Sequence, residues 1–197
     1  MADIITLAFD KRENMTRGEK KELLKKGYLI GNINSKGAAS MAITLRKDEF
    51  KKTLKKYGRN CVLKLVSSDQ NSLDVMVKDI QVNQKDYDYH HVDLQQVSLN
   101  EVVKADVAVK YIGTEFLEGK RLVLNRLMDI VPVLGLPKDI PDTVEVDVSN
   151  LNSGDNIYVG DLKFAEGITL EIDQKQLVGS IIDAKVRDAN PYINDGV

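Results

Sequence analysis

Met41-Ala-Ile-Thr-Leu-Arg-Lys-Asp-Glu-Phe-Lys-Lys-Thr-Leu-Lys-Lys-Tyr-Gly58 reads as a strand that runs straight into a helix. Met41–Arg46 has a strand's composition. From Asp48 to Tyr57, Phe50, Leu54 and Tyr57 fall on one helical stripe while Lys51, Lys52, Lys55 and Lys56 fall elsewhere, and Gly58 is the stop. Working outward, Ile4–Phe9 is a short apolar run, β-branched at its start. Thr16-Arg-Gly-Glu19 has capping-box spacing, in which the Thr16 hydroxyl and the Glu19 carboxylate satisfy orphan N–H groups. A helix from there to Lys26 would end at Gly27, a left-handed C-terminal cap. Cys61–Val66 and Leu73–Val82 follow as strands around the turn-like Ser67–Ser72, and His91–Val97 closes this half. Two short helices among about six strands predict an α+β domain built as a small barrel.

The second half changes character. Val103, Ala105, Val107, Val109 and Tyr111 alternate with Lys104, Asp106, Ala108 and Lys110, the period-2 pattern of a half-buried strand. Further strand signals are Arg121–Leu124, Asp129–Leu136, Thr143–Val148, Asn156–Val159, Ile168–Ile172 and Gln176–Ile182, with Gly- and Asn-rich turns between them. No helix-period stretch of convincing length stands out. The expectation is an all-β, sandwich-like domain over 96–186 after a barrel domain over 1–95, with 187–197 as a loose tail.

The 197 residues carry 28 Lys+Arg against 30 Asp+Glu, for a net charge of −2. With 43% hydrophobic residues the chain is too apolar for a disordered one. No apolar run approaches the ~18 residues of a membrane span. The start, Met1-Ala-Asp-Ile4, lacks the basic and apolar regions of a secretory signal, and Cys61 alone builds no disulfide framework. These features read as a cytosolic, reduced and soluble chain. The near-neutral total hides an asymmetry. Residues 11–64 hold 16 basic and 5 acidic side chains, an excess of +11, whereas 96–197 hold 10 and 17, an excess of −7. A first module facing a polyanion fits that split. A Lys-rich solvated face fits it too.

Catalytic constellations are weak. His90 and His91 are neighbours on a strand pattern, so their side chains are expected on opposite faces and unable to share a metal. Cys61 reads as a core residue. Neither GxxxxGK[ST] nor GxGxxG occurs. Enzymatic, cofactor and metal chemistry all lack support.

Arg12, the basic helix from Thr16 to Lys26, and Asp79-Ile-Gln81 followed by His91-Val-Asp93 resemble the bacterial large-subunit ribosomal protein family that binds 5S rRNA. Leu136-Pro-Lys-Asp-Ile-Pro-Asp142, then Val144-Glu-Val-Asp-Val-Ser-Asn-Leu151 and Gly154-Asp155, resemble the C-terminal domain of that family's long form, often called a general stress protein. The resemblance spans about residues 3–185. It implies RNA-contacting roles for Arg12 at the end of the first strand, Arg17 ahead of the helix, and Gln81, His91 and Asp93 on later strands. The family's helical arginine pair falls on Lys21 and Glu22, its Pro-Ala-Val-Val-Tyr-Gly stretch on Ile30–Ser35 with Asn34 for the tyrosine, and a glutamine on Lys78.

A duplex RNA shows 2′-hydroxyls in a shallow minor groove and hides its base edges, so recognition leans on shape, phosphates and few polar contacts. Arg12, Arg17, Lys20, Lys21, Lys25 and Lys26 would neutralise phosphate. His91 and Asp93, two apart on a strand, would share a face and reach hydroxyl or base-edge groups. A strand-surface histidine and a strand-end aspartate are the plainer readings of that pair. The function implied is non-catalytic binding of 5S rRNA in the cytoplasmic large ribosomal subunit, with no membrane contact. The alternative is a stress-related protein-interaction module that has lost stable rRNA binding. In either, the acidic second domain would meet a protein partner.

Overall fold

The computed structural model describes residues 5–13, 15–67, 71–84 and 87–184. The reading of 187–197 as a tail, Ile4 as a strand start and the middle of the Ser67–Ser72 turn lie outside the described residues. Packing divides the chain into two units, the described residues of 1–105 with 135–142, and those of 106–134 with 143–197.

In the first unit, β1 (Ile5–Lys11) leads to α1 (Arg17–Lys25), β2 (Tyr28–Asn34), β3 (Met41–Arg46), α2 (Lys47–Tyr57), β4 (Leu63–Ser67), β5 (Ser72–Val82) and β6 (Tyr89–Gln96). The six strands close into a barrel in the order β1-β3-β2-β6-β5-β4. Two of its pairings are parallel, β1 with β4 and β2 with β6. Period-2 alternation sends Leu7 and Phe9, Leu29 and Ile33, Ile43 and Leu45, Leu63 and Leu65, and Val92 and Leu94 into one core. Strand β2, whose Leu-Ile-Gly-Asn-Ile-Asn alternates, was not singled out from the sequence.

Helix α1 begins and ends where the chain chemistry dictates, and α2 ends at Gly58. Thr16 caps α1, with Glu19 Oε2 accepting from the Thr16 N–H at 2.7 Å, and Gly27 follows the helix at φ +81°. No residue of α1 is buried. Helix α2 drives Phe50 fully into the barrel, where its ring meets Tyr89 edge to face at 6.3 Å. Lys47 and Lys51 of α2 each reach Asp88 at 2.5 Å. At the α2–β4 turn, Asp142 Oδ1 accepts from the Arg59 and Asn60 N–H groups at 2.5 and 3.3 Å, and the buried Asn60 amide donates to Pro141 O at 2.9 Å. Segment 135–142 is thus part of the first unit.

The second unit is mostly β. Its elements are β7 (Val103–Ile112), α3 (Thr114–Gly119), β8 (Leu122–Arg126), β9 (Ile130–Gly135), β10 (Thr143–Asp147), β11 (Asn156–Tyr158), β12 (Thr169–Leu170) and β13 (Leu177–Asp183). They form a four-stranded sheet, β10-β7-β9-β12, and a three-stranded sheet, β11-β13-β8. The Tyr111 hydroxyl on β7 lies 3.0 Å from Met128 O and 3.2 Å from Val178 O, tying the sheets together. The β-rich second domain expected from the sequence is present, and it carries one short helix, α3, that the sequence did not single out. Its single turn and a half is too short for a periodic pattern to show, and it persists because Leu117 is buried.

Gly31 occupies an inward position of β2, and a Cβ there would lie 2.7 Å from both Val92 Cγ1 and Val92 O. Gly31→Ala should lower unfolding free energy by about 1–3 kcal/mol, as overpacking against backbone does. Gly119→Ala, with nothing within 4 Å of the new Cβ, should change it by well under about 1 kcal/mol. Urea titration of both variants checks the contrast.

The Asp88 carboxyl is held down to about 2 by the Lys47 and Lys51 hydrogen bonds against the cost of burial. A depressed carboxyl pKa gives stability that is full above the ordinary 3.8 and lost as pH falls through 2. Asp88→Asn should cost about 1 kcal/mol at pH 7, a figure discounted because the side chain is 31% exposed. It should also flatten the melting-temperature decline between pH 4 and 2, which thermal melts across that range will read.

Candidate nucleic-acid interface

Pairing across the barrel wall builds the site. Ile30 and Asn32 of β2 stand opposite His91 and Asp93 of β6, and Asp79 and Gln81 of β5 stand opposite Asp93 and His91 on its other side. These outward positions form a polar row over three strands. Arg12, just past β1, reaches the row from the far edge: its Nε donates to Ile43 O and its Nη2 to Asn32 Oδ1, both at 3.2 Å. Helix α1 runs beside this wall. Between them lies a groove of about 760 Å³, lined by Arg12, Arg17, Gly18, Lys20, Lys21, Leu24, Ile30, Asn32, Gln81, His90 and His91.

Six residues expected from sequence therefore meet in one place: Arg12, Arg17, Lys20, Lys21, Gln81 and His91. Asp93 adjoins it, its Oδ2 3.7 Å from His91 Nδ1. Lys25 is exposed on the last turn of α1, and Lys78 is exposed at a bulge where Val77 opposes Leu94 and Asp79 opposes Asp93. Neither is among the lining residues. Glu22 is not among them either, because helical spacing groups Arg17, Lys20, Lys21 and Leu24 on one side and leaves Glu22 off it.

Val82 pairs with Tyr89 while Gln81 pairs with His91, so His90 is an extra residue in β6, a bulge the sequence did not announce, and both His90 and His91 are among the residues that line the groove. Asn32 was missed as well, although the alternation Leu29-Ile-Gly-Asn-Ile-Asn34 carried the signal: with Leu29 and Ile33 inward, Asn32 must face out.

Burial first, then Arg12 and Lys20, hold the His91 imidazole below its ordinary 6.5 against the pull of Asp93 and Asp79. Its Nδ1 is sealed from solvent and unpartnered. Burial pushes the Cys61 thiol up to about 11, and its Sγ donates to Gly58 O, so it is no nucleophile at neutral pH. Among the described residues no cluster of three or more His, Cys, Asp or Glu could hold a metal ion. No described helix is long and apolar enough to cross a membrane. The surface can supply three cations along the helix side of a groove, and Arg12 beside a row of hydrogen-bonding groups along the other. That is equipment for a phosphate backbone with polar groups beside it.

Residues 7–94 match the pattern described as the ribosomal L25p family, and residues 102–185 that of ribosomal protein TL5, C-terminal domain. The chain is 50% identical over 162 residues to the large ribosomal subunit protein bL25 of Lachnoclostridium phytofermentans, covering 82% of this chain and 84% of that one. Proteins of the same name are 30% identical in Thermoanaerobacter pseudethanolicus (82% and 81% covered) and in Halalkalibacterium halodurans (81% and 74%).

The forked contact of Arg12 with Ile43 O and Asn32 Oδ1 needs a planar guanidinium. Arg12→Lys should keep the charge but lose the fork, lowering stability by about 1 kcal/mol. A denaturation curve at neutral pH measures it.

Proposed function

The chain belongs to the ribosomal L25p family of large-subunit proteins, and from that premise we propose that it binds 5S rRNA within the large ribosomal subunit. The observation carrying this reading is the groove, where cations of α1 and polar groups of the barrel wall converge. Arg17, Lys20 and Lys21 face phosphate, and Lys25 adds to the local field. Arg12, anchored on Asn32, sits at the floor beside the β-strand row. Gln81, His91 and Asp93 meet 2′-hydroxyl or base-edge groups, which point charges alone would not select. Lys78, raised at its bulge, reaches the backbone beyond the groove. Work of this kind is structural, and the family is not one of enzymes. RNA binding is assigned to 1–95 and not to 96–197, whose acidic balance would repel a polyanion and suits a protein partner.

Binding of the full chain to isolated 5S rRNA at several salt concentrations tests the proposal. Lys21→Ala should weaken binding to 5S rRNA and to an unrelated duplex alike, and flatten the slope of log K against log salt by about 0.7–0.9, the share of one phosphate. Glu22→Arg, off the groove side of α1, should raise affinity less than Lys21→Ala lowers it. Absence of a measurable preference for 5S rRNA over the unrelated duplex would overturn the reading.

A further inference from the structure

Strand β5 carries an extra residue at Lys78, between the Val77–Leu94 and Asp79–Asp93 pairs. A bulge takes its residue out of the ladder and leaves that backbone to find partners elsewhere. Arg59, on the turn after α2, supplies one: its Nη2 donates to Lys78 O at 2.8 Å. The same nitrogen lies 3.7 Å from Asp79 Oδ1. That second contact answers a problem of the polar row. Asp79 and Asp93 stand directly opposite each other on β5 and β6, and like charges so placed are destabilising. One guanidinium thus holds the bulge and offsets the repulsion, next to the Gln81–His91 pair.

Arg59 is itself held. Its N–H and that of Asn60 both donate to Asp142 Oδ1, and the buried Asn60 amide donates to Pro141 O at 2.9 Å. Ile140, one residue earlier, is buried. A Cβ on Gly58, at φ +83°, would lie 2.6 Å from Asp142 Oδ1, so the turn has room for that carboxylate only without a side chain there. The chain on either side of 135–142 belongs to the second unit, whereas this segment packs in the first. Neither Arg59 nor Asp142 lines the groove between α1 and the barrel wall.

We propose that Arg59 is a positioning residue for RNA discrimination, held in place by the Asp142 carboxylate, so that segment 135–142 sets the geometry of the row formed by Asp79, Gln81, His91 and Asp93. The inference rests on the RNA-binding reading of the groove. It adds that the site carried by residues 1–95 is completed by a segment from beyond them. Arg59 acts through Lys78 and Asp79, not on phosphate. A hydrogen bond weakens steeply as its distance and angle drift, whereas charge attraction does not. Loss of this brace therefore reads as lost preference before lost attraction.

Binding of the full chain to 5S rRNA and to an unrelated duplex, each over a range of salt, tests this. Arg59→Ala keeps the backbone N–H and removes the guanidinium. It should cut the preference for 5S rRNA by about 3- to 10-fold, the share of one hydrogen bond, and leave the slope of log K against log salt unchanged. A phosphate contact by Arg59 would instead flatten that slope by about 0.7–0.9 with the preference retained, which overturns the proposal. Asp142→Ala removes a negative charge, and simple electrostatics then strengthens binding to both RNAs. Here it should lower the preference as Arg59→Ala does. Asp142→Asn keeps an oxygen for the two N–H groups and should retain most of the preference. The double variant Arg59→Ala, Asp142→Ala should lose no more than Arg59→Ala alone, since both act through one contact. Additive losses, or wild-type preference in Asp142→Ala, overturn the coupling.

Amide hydrogen exchange of the RNA-free chain judges the brace separately. Exchange at Asp79–Gln81 should quicken in Arg59→Ala and in Asp142→Ala, and stay near wild type in Asp142→Asn. A lowered melting temperature with unchanged preference would assign both residues to stability alone and end the proposal. If the wild type shows no preference for 5S rRNA, the functional reading fails by itself. Unchanged exchange at those residues then removes the brace too, and quickened exchange upholds it.

Discussion

Strands β2 and β6, far apart in the chain, lie parallel with Gly31 pressed against Val92. A side chain at Gly31 would force the two backbones apart. Their separation sets the distance from Asn32 to Asp93 and from Ile30 to His91, and β5 then extends the same row with Asp79 and Gln81. Arg12 is fixed to this row through Asn32 and to β3 through Ile43 O. The polar face is thus a by-product of core packing on the other side of the same strands. A barrel that closes has already aligned its exterior.

The electrostatics are arranged so that cations are not all spent alike. Lys47 and Lys51 of α2 are committed to Asp88, beside the strand that plugs against Phe50. Those charges hold a helix to a loop. Among the described residues the cations of α1 form no ion pair, and the helix itself buries none of its residues. In the same unit, then, one basic helix is structural and the other faces solvent. Composition reports only their sum, the +11 excess between residues 11 and 64.

Local rules were legible in the sequence, because they depend on neighbours in the chain. The Thr16–Glu19 box, the Gly27 and Gly58 stops and the Phe50 stripe all appear where spacing puts them. The period-2 runs became strands, β12 shrinking to two residues. What could not be read depends on partners far away. The extra residue at His90 exists only because Val82 pairs with Tyr89 and Gln81 with His91, and no local property of His90-His91 announces it. Gly31 hid strand β2 by lowering its apparent strand propensity, yet its absence of a side chain is what the pairing requires. Likewise Leu136–Asp142 carries no sign that Asp142 will cap the Arg59 and Asn60 N–H groups of the first unit.

The groove has two walls of different mechanical character. One is barrel strand, hydrogen-bonded on both sides and backed by a core whose Leu29, Val92 and Leu94 are inaccessible. The other is a nine-residue helix with no buried residue, held by its caps, with Leu24 turned to the groove that Ile30 also lines. A helix of that length is marginal by itself in water, so its position is set by few contacts. The cations stand on this yielding wall, and the acceptor and donor groups stand on the rigid one. That division suits their tasks. Attraction between charge and phosphate falls off slowly with distance and tolerates displacement of the helix. A hydrogen bond to a hydroxyl or amino group is lost within an ångström or so and needs a wall that does not move. Under the proposed RNA binding, affinity would therefore reside on α1 and discrimination on β2, β5 and β6.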